Sequence, residues 1–327
     1  MEIKYLPIQY TDDLPVFSCE RFLRTQSSEY GWIGGFENNV LLFALPYIVK
    51  KKLFFRAMQF QTATIIIDKN AQIEKEKDFL NGVLKFLGDS KIDFIIQPAN
   101  NAVFNAFPDA CVSCGFGSYI IDLSETEETL WSCVHSKHRN VINNAANNGV
   151  IIERGEKYLP AAYSMLKLTM DRSMMWCPTK EEFFAFYEAM KNNVEIFVAF
   201  YKNAPQGCAI IPFSRYSAYY MYGGSADKPL LGSMNLLHWE AIKHFKKEGV
   251  IRYDFVGARL HPMEGSKMEG LQRFKGRFGG PMKTGYLWKY IIKPNKYRIY
   301  TFLQAIKNKN ISMDIIDQEK ARNHVDI

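Results

Sequence analysis

The stretch GLQRFKGRFGG, residues 270–280, sets one lysine inside an apolar pattern. On a helix at about 100° per residue, Leu271, Phe274 and Phe278 share a stripe, while Arg273 and Arg277 point well away from it. Lys275 lands at the edge of that stripe, on the side that packs inward. A lysine there either snorkels its ammonium out to water or points it into a cleft. Upstream, Asp254 in RYDFVG sits on an otherwise apolar strand, and a buried carboxylate needs partners. It can accept from backbone N–H groups near Gly257, or orient an attacking amine. Tyr222, Gly223 and Gly224 end another strand. Glycine there allows close approach of a backbone or ligand, so a substrate along that edge and an ordinary turn both fit.

Other reactive side chains point to less. Cys111 and Cys114 make a Cys-x-x-Cys with no second pair to complete a zinc site, which reads as a buried or incidental thiol pair. Cys133, His135 and His138 lie on a predicted helix, and the two histidines can share a face. No fourth ligand is evident. The expectation is no metal and no cofactor.

Between Gly270 and Met313 stand ten Lys or Arg and no Asp or Glu, where the chain average of 34 acids in 327 residues would put four or five. Phe274, Phe278, Tyr286, Trp288, Tyr290, Tyr297, Tyr300 and Phe302 interleave with them. This is either a solvated face or a surface for a polyanion: RNA, a nucleotide diphosphate or anionic lipid.

These residues need a scaffold, and the composition permits a substantial one. The chain has 327 residues, 47% hydrophobic and 23% charged, with net charge +7, enough for two domains with full cores. The first residues have no basic n-region or long apolar run, so no signal peptide is expected. The longest apolar stretch, VLLFALPYIV, carries a proline and meets Lys50, Lys51 and Lys52. It is too short to span a bilayer. A cytoplasmic protein able to touch a membrane surface is expected.

Strands and helices alternate. WIGGFEN and VLLFALPYIV read as a hairpin turning at Glu37-Asn38-Asn39, and Asn70 to Leu87 reads as a helix. Ser124 with Glu127 predicts a capped helix running through Ala146 to Gly149. VEIFVAFYKN, GCAIIPFS and YSAYYMYGG read as a three-stranded meander. Ser233 is placed to cap the helix ending at Gly249, and IRYDFVGA reads as a buried strand. The short helix around Lys275 comes next, then the strand TGYLWKYII and a helix from about Pro294. GGFENNVLLFALP and VAFYKNAPQGCAIIP share the order strand, Asn-containing turn, strand, Pro, which suggests two copies of one α/β unit.

Three stretches resemble the Fem family, the non-ribosomal aminoacyltransferases of peptidoglycan cross-bridges. They are SKHRNVINNAANNGVIIERG, YYMYGGSADKPLLGSMNLLHWEAIKHFKKEGVIRYDFVGAR and GLQRFKGRFGG, together covering roughly residues 130 to 283. The resemblance implies an α/β (α+β) fold of two tandem GNAT-like domains, each a mixed, mostly antiparallel sheet flanked by helices. The expected boundaries are 1–123, 124–293, and a C-terminal helix and tail at 294–327 packing back on the body. The chain departs from the family in lacking the heptads of a coiled-coil arm. It also has RAMQFQTA where a Gly-Pro often follows the first hairpin.

The resemblance further implies acyl transfer to an amine. Aminoacyl-tRNA is the expected donor, and the acceptor an anionic nucleotide- or lipid-linked sugar of the cell wall or cell surface. Lys275 matches the family's active-site lysine and would stabilise the tetrahedral oxyanion, with Phe274 packed beneath it. Arg172 resembles an arginine that contacts acceptor phosphates, and Arg273 and Arg277 would bind the charged substrate. The rival is CoA-dependent N-acyl transfer to an amino sugar. CoA-using relatives hold the pyrophosphate in a Gly-x-Gly loop at a helix start. The equivalent SADKPLLGSMN has one Gly and a Pro.

Overall fold

A computed structural model describes residues 1–68, 73–308 and 313–323. In chain order the strands are β1 Glu2–Leu6, β2 Tyr30–Glu37, β3 Val40–Lys52, β4 Phe55–Phe60, β5 Ile65–Ile66, β6 Phe94–Ile95 and β7 Val112–Asp122. They continue with β8 Ile151–Arg154, β9 Val194–Tyr201, β10 Ala204–Pro212, β11 Ala218–Tyr219, β12 Tyr222–Ser225, β13 Arg252–Asp254 and β14 Met282–Ile291. The helices are α1 Glu20–Gln26, α2 Glu76–Gly88, α3 Glu127–Cys133, α4 Ser136–Asn147, α5 Leu159–Arg172, α6 Lys180–Met190, α7 Ser233–Lys247, α8 Lys267–Gly276, α9 Pro294–Asn308 and α10 Ile315–Asn323.

The chain divides into two compact units. One holds Met1–Thr11, Phe17–Gly117 and Thr284–Ile327, and the other Asp12–Val16 and Ser118–Lys283. The strand TGYLWKYII therefore folds with the N-terminal residues rather than with the segment before it. Its Trp288 is fully buried beside Phe60 and Phe104, so packing at a distance outweighs proximity in the chain.

In the first unit the strand order is β1-β2-β3-β4-β6-β14, with β5 on β3. All the pairings among β1 to β5 are antiparallel, and β4 with β6 is parallel. Helix α2 lays Phe79, Leu80, Val83, Leu84 and Leu87 on the sheet, the periodic residues of the predicted helix. Residues 69–72, part of that prediction, lie outside the described residues. In the second unit β7 pairs antiparallel with β13, and β13 parallel with β11. A separate antiparallel sheet runs β12-β10-β9-β8. Trp239, Ile242 and Phe245 of α7 enter a core with Ile142 of α4, Phe197 and Ile211.

The two echoing segments are both hairpins closed by two left-handed residues, Asn38-Asn39 and Lys202-Asn203. Three expectations are corrected. The helix expected from Ser124 to Gly149 is two, because the chain breaks at Val134–His135. Thr126 caps α3 by accepting from the Thr129 amide, and the His135 ring caps α4 by accepting from the Lys137 amide. YSAYYMYGG is not one strand: β11 and β12 belong to different sheets. Gly232, not Ser233, precedes α7. The Ser233 hydroxyl donates back to the Leu230 carbonyl instead.

Candidate active site

Helix α8 starts at Ser266, whose hydroxyl accepts from the Glu269 amide. Its inward side is polar. Leu271 is 42% exposed, whereas Gln272 and Lys275 are the buried residues. The apolar stripe read from the sequence is thus rotated outward at its start, and only Phe278 reaches full burial. Gln272 donates its amide to the Arg259 carbonyl (2.6 Å) and accepts from the Arg259 amide (3.1 Å). One turn on, Lys275 is 6% exposed and donates to the carbonyls of Val256 (2.7 Å) and Gly257 (2.8 Å). Of the two courses open to it, Lys275 takes the inward one.

Those carbonyls face the lysine because the chain turns sharply as it leaves β13. Val256 and Gly257 both have positive φ, 49° and 76°. A β-branched residue rarely adopts that conformation, so the surroundings must hold it. Asp254 supplies one brace, its Oδ1 accepting from the Val256 amide (2.8 Å) and from the Ser118 hydroxyl. Lys275 supplies the other. Burial raises the Asp254 carboxyl above its ordinary range, against those two hydrogen bonds and the lysine. Burial likewise lowers Lys275 from 10.5 to about 8, against the pull of Asp254. An ammonium has three donors. Two are committed, and the third has no acceptor among the described residues.

Phe274 packs among His138 (5.5 Å between ring centroids), His238 (5.6 Å) and Phe278 (5.3 Å). Its carbonyl meets His138 Nε2 at 3.0 Å, so His138 ties α4 to α8. His238 is fully buried on α7. Its Nδ1 lies 2.8 Å from the Tyr253 hydroxyl, and its Nε2 has no hydrogen-bond partner. Burial first, then the Lys275 charge, pushes its pKa down to about 3. His238, Gln272 and Ser118 escaped the sequence reading. A histidine within the apolar face of LLHWEAIKHF was a signal for the first; the other two carried none.

Arg172, Tyr222, Gly223 and Gly224 form a second group. Arg172 ends α5, donating to Asp227 (2.6 Å) and to the Ser225 carbonyl (2.8 Å), so it joins the helix to the loop after β12. Tyr222 is half-buried at the start of β12, paired with Ile210. The glycines admit protein, not open space. A Cβ on Gly224 would strike the Met165 carbonyl of α5, and one on Gly223 the Tyr220 hydroxyl. Tyr220 links the two groups, its ring meeting His238 edge-on at 4.3 Å. Lys267 adds a second link from α8 to the Ser173 hydroxyl after α5 (3.0 Å).

Arg273 is exposed, 4.0 Å from Glu269, and Arg277 is partly buried. Part of the acid-free run is committed elsewhere. Lys289 is buried and paired to Asp314 (2.8 Å) and Asp317 (2.6 Å), and Lys293 (3.1 Å) and Lys296 (2.9 Å) share Asp93. Trp288 and Phe278 are core, while Tyr297 and Tyr300 pack on Phe94. Asp93, far away in the chain, and Asp314 and Asp317, just past the end of the run, supply these acids, so the three lysines are not part of a free surface for a polyanion. Residues 309–312 of the run lie outside the described residues.

The FemAB family model matches residues 209–305, which include β13, the left-handed turn and α8. A crystal structure of FemX superposes with a TM-score of 0.67 at 15% identity, covering 91% of this chain and 99% of that one. The family match covers this segment of the chain, and the superposition at 15% identity shows the shared fold. The C-terminal domain of a putative lysylphosphatidylglycerol synthetase from Agrobacterium fabrum matches with a TM-score of 0.53 at 12% identity, covering 89% and 92%. No curated protein matches the chain significantly. The fold is the expected one: mixed α/β, sheets flanked by helices, with no coiled-coil arm among the described residues. No helix among them is long and apolar enough to cross a membrane.

Proposed function

We propose that the chain is a Fem-type aminoacyltransferase. It moves an aminoacyl group from aminoacyl-tRNA to an amine on an anionic nucleotide- or lipid-linked sugar, a cell-wall or cell-surface precursor, in the cytoplasm. The family match and the FemX-like fold support transferase chemistry. The observation that carries the reading is Lys275, a buried cation with two donors anchored and one uncommitted. The neutral amine attacks the ester carbonyl, the C–N bond forms, and negative charge moves to the carbonyl oxygen. The remaining Lys275 N–H donates to that oxygen. Collapse restores the C=O and breaks the C–O bond, and the tRNA ribose leaves as a hydroxyl carrying the proton that the amine nitrogen gives up. The ester is already activated, so the reaction calls for no metal or cofactor.

Three cations around the site are candidates for phosphates: Arg277, Arg273 with only a long contact to Glu269, and Lys283, close enough for its charge to lower the Asp254 carboxyl. Arg172 is a candidate for acceptor phosphates, through whichever N–H groups its bonds to Asp227 and Ser225 leave over. For the rival donor, acyl-CoA, the start of α7 offers little. A single left-handed Gly232 stands there, pressed against the Val141 carbonyl of α4.

The test is a titration of the purified chain with aminoacyl-tRNA and with acyl-CoA at two salt concentrations. Aminoacyl-tRNA should bind with a steep salt dependence. Replacing Arg273 and Arg277 by Ala should lower the log–log slope by about 1.5. Tight, salt-insensitive acyl-CoA binding without tRNA binding would overturn the reading.

A further inference from the structure

Two-residue β-hairpin loops call for left-handed residues, and Asn and Gly serve them best. The β2–β3 and β9–β10 loops comply with Asn38-Asn39 and Lys202-Asn203. The β3–β4 loop does not. Lys52 pairs with Phe55, so Leu53 and Phe54 alone form the turn, with Leu53 at φ 55°. A leucine is rarely found there, and this one is 78% exposed beside a 56% exposed Phe54. The tip therefore carries a conformational cost and presents two large apolar side chains to the outside.

Its flanks are cationic. Lys50, Lys51 and Lys52 lead into the tip and Arg56 leaves it, and no Asp or Glu occurs from Val40 to Ile67. Glu29 takes Lys51 (2.8 Å) and Arg56. Lys50 and Lys52 have no ion pair among the described residues. Helix α9 extends the same surface within this unit. Phe55 stacks on Phe54 (4.2 Å) and meets Tyr300 of α9 (5.4 Å). With Tyr297 and Tyr300 turned inward, Ile299, Phe302 and Leu303 face out at helical spacing, Phe302 being 65% exposed. The helix carries Lys296, Arg298 and Lys307 and no acid.

We propose that the β3–β4 tip and the outer face of α9 dock on an anionic phospholipid bilayer. Leu53, Phe54 and Phe302 enter the interfacial layer, and Lys50 and Lys52 meet lipid phosphates. Apolar side chains flanked by lysines, with the neighbouring Glu29 already paired to Lys51 and Arg56, suit that interface, whereas an apolar protein groove gives Lys50 and Lys52 no partner. This goes beyond the proposed reaction and can be read without any substrate.

The experiment is flotation of the full chain with vesicles of phosphatidylcholine alone and of phosphatidylcholine with phosphatidylglycerol. Binding is expected to the anionic vesicles only and to weaken with salt. Lys50→Gln with Lys52→Gln should weaken it about 30-fold, from roughly fivefold per lysine. Leu53→Asn with Phe54→Ser should weaken it about 100-fold. Asparagine tolerates the left-handed turn, so that variant should melt no lower than wild type. Phe302→Ser gives an independent loss that leaves the turn intact. Failure of the wild type to float, or equal flotation of both double variants, would overturn the proposal. So would concentration-dependent self-association that is lost in Leu53→Asn/Phe54→Ser without vesicle binding; the face would then be an interface between copies.

Discussion

Replacing Lys275 by Met separates its structural role from its chemical one. The lysine titrates at about 8 when folded against 10.5 when free, so keeping it charged in place costs about 3 kcal/mol at about 1.4 kcal/mol per unit. Because the folded value is the lower one, the unfolded chain holds the extra proton between pH 8 and 10.5. Stability should rise with pH across that window, and the full cost persists below it. Methionine removes that cost but leaves two buried carbonyls, Val256 and Gly257, without a donor, at about 1–3 kcal/mol each. The two effects nearly cancel, so the melting temperature should shift by only a few degrees. Turnover should fall about 100- to 1000-fold, for loss of one oxyanion donor. The assay is single-turnover transfer from aminoacyl-tRNA as a function of pH. The wild-type rate should rise as the attacking amine loses its proton, then fall above about 8 as Lys275 does. Lys275→Arg keeps its charge but not the geometry, so it should be slow and lack the alkaline limb. A wild-type rate that keeps rising past that point, or a Met variant within a few-fold of wild type, would refute the oxyanion role.

Gly224→Ala should destabilise the chain by about 3 kcal/mol, because the new methyl meets α5 backbone rather than a movable side chain; a denaturant melt checks this. His238 titrates at about 3 when folded against 6.5 when free, so stability is full above 6.5 and lost as pH falls toward 3. His238→Gln should remove about 2 kcal/mol of that loss at about pH 5, measured as the difference between denaturant midpoints. Lys289→Ala should lower stability by about 1–2 kcal/mol, since it strands Asp314 and Asp317, both partly exposed, while leaving the salt slope of tRNA binding unchanged.

Much of the fold was legible because its local signals are strong. The Asn38-Asn39 and Lys202-Asn203 turns announce themselves, and α2 repeats its apolar residues at helical spacing. The errors fall where a tertiary contact overrides a local pattern. Ser124 and Glu127 match a capping box, yet the Ser124 amide donates to Asp122 (3.0 Å), and Thr126 takes the cap. The run YSAYYMYGG has strand propensity throughout, but its two halves serve different sheets.

The site shows the same division. Helical spacing placed Lys275 on the inward side of α8, and burial agrees. What it meets there is set by the left-handed pair Val256-Gly257, nineteen and eighteen residues upstream, which no periodicity encodes. The misread acid-free run makes the complementary point. Charge counted along the chain takes no account of Asp93, which lies some two hundred residues before Lys296 in sequence and 2.9 Å from it in space. Cations already paired inside the fold contribute little to a salt slope, because they release no counterions when a polyanion arrives. On the proposed reading, donor binding rests on cations without a buried partner, and Arg273 and Arg277 flank Lys275 in sequence at the end of α8.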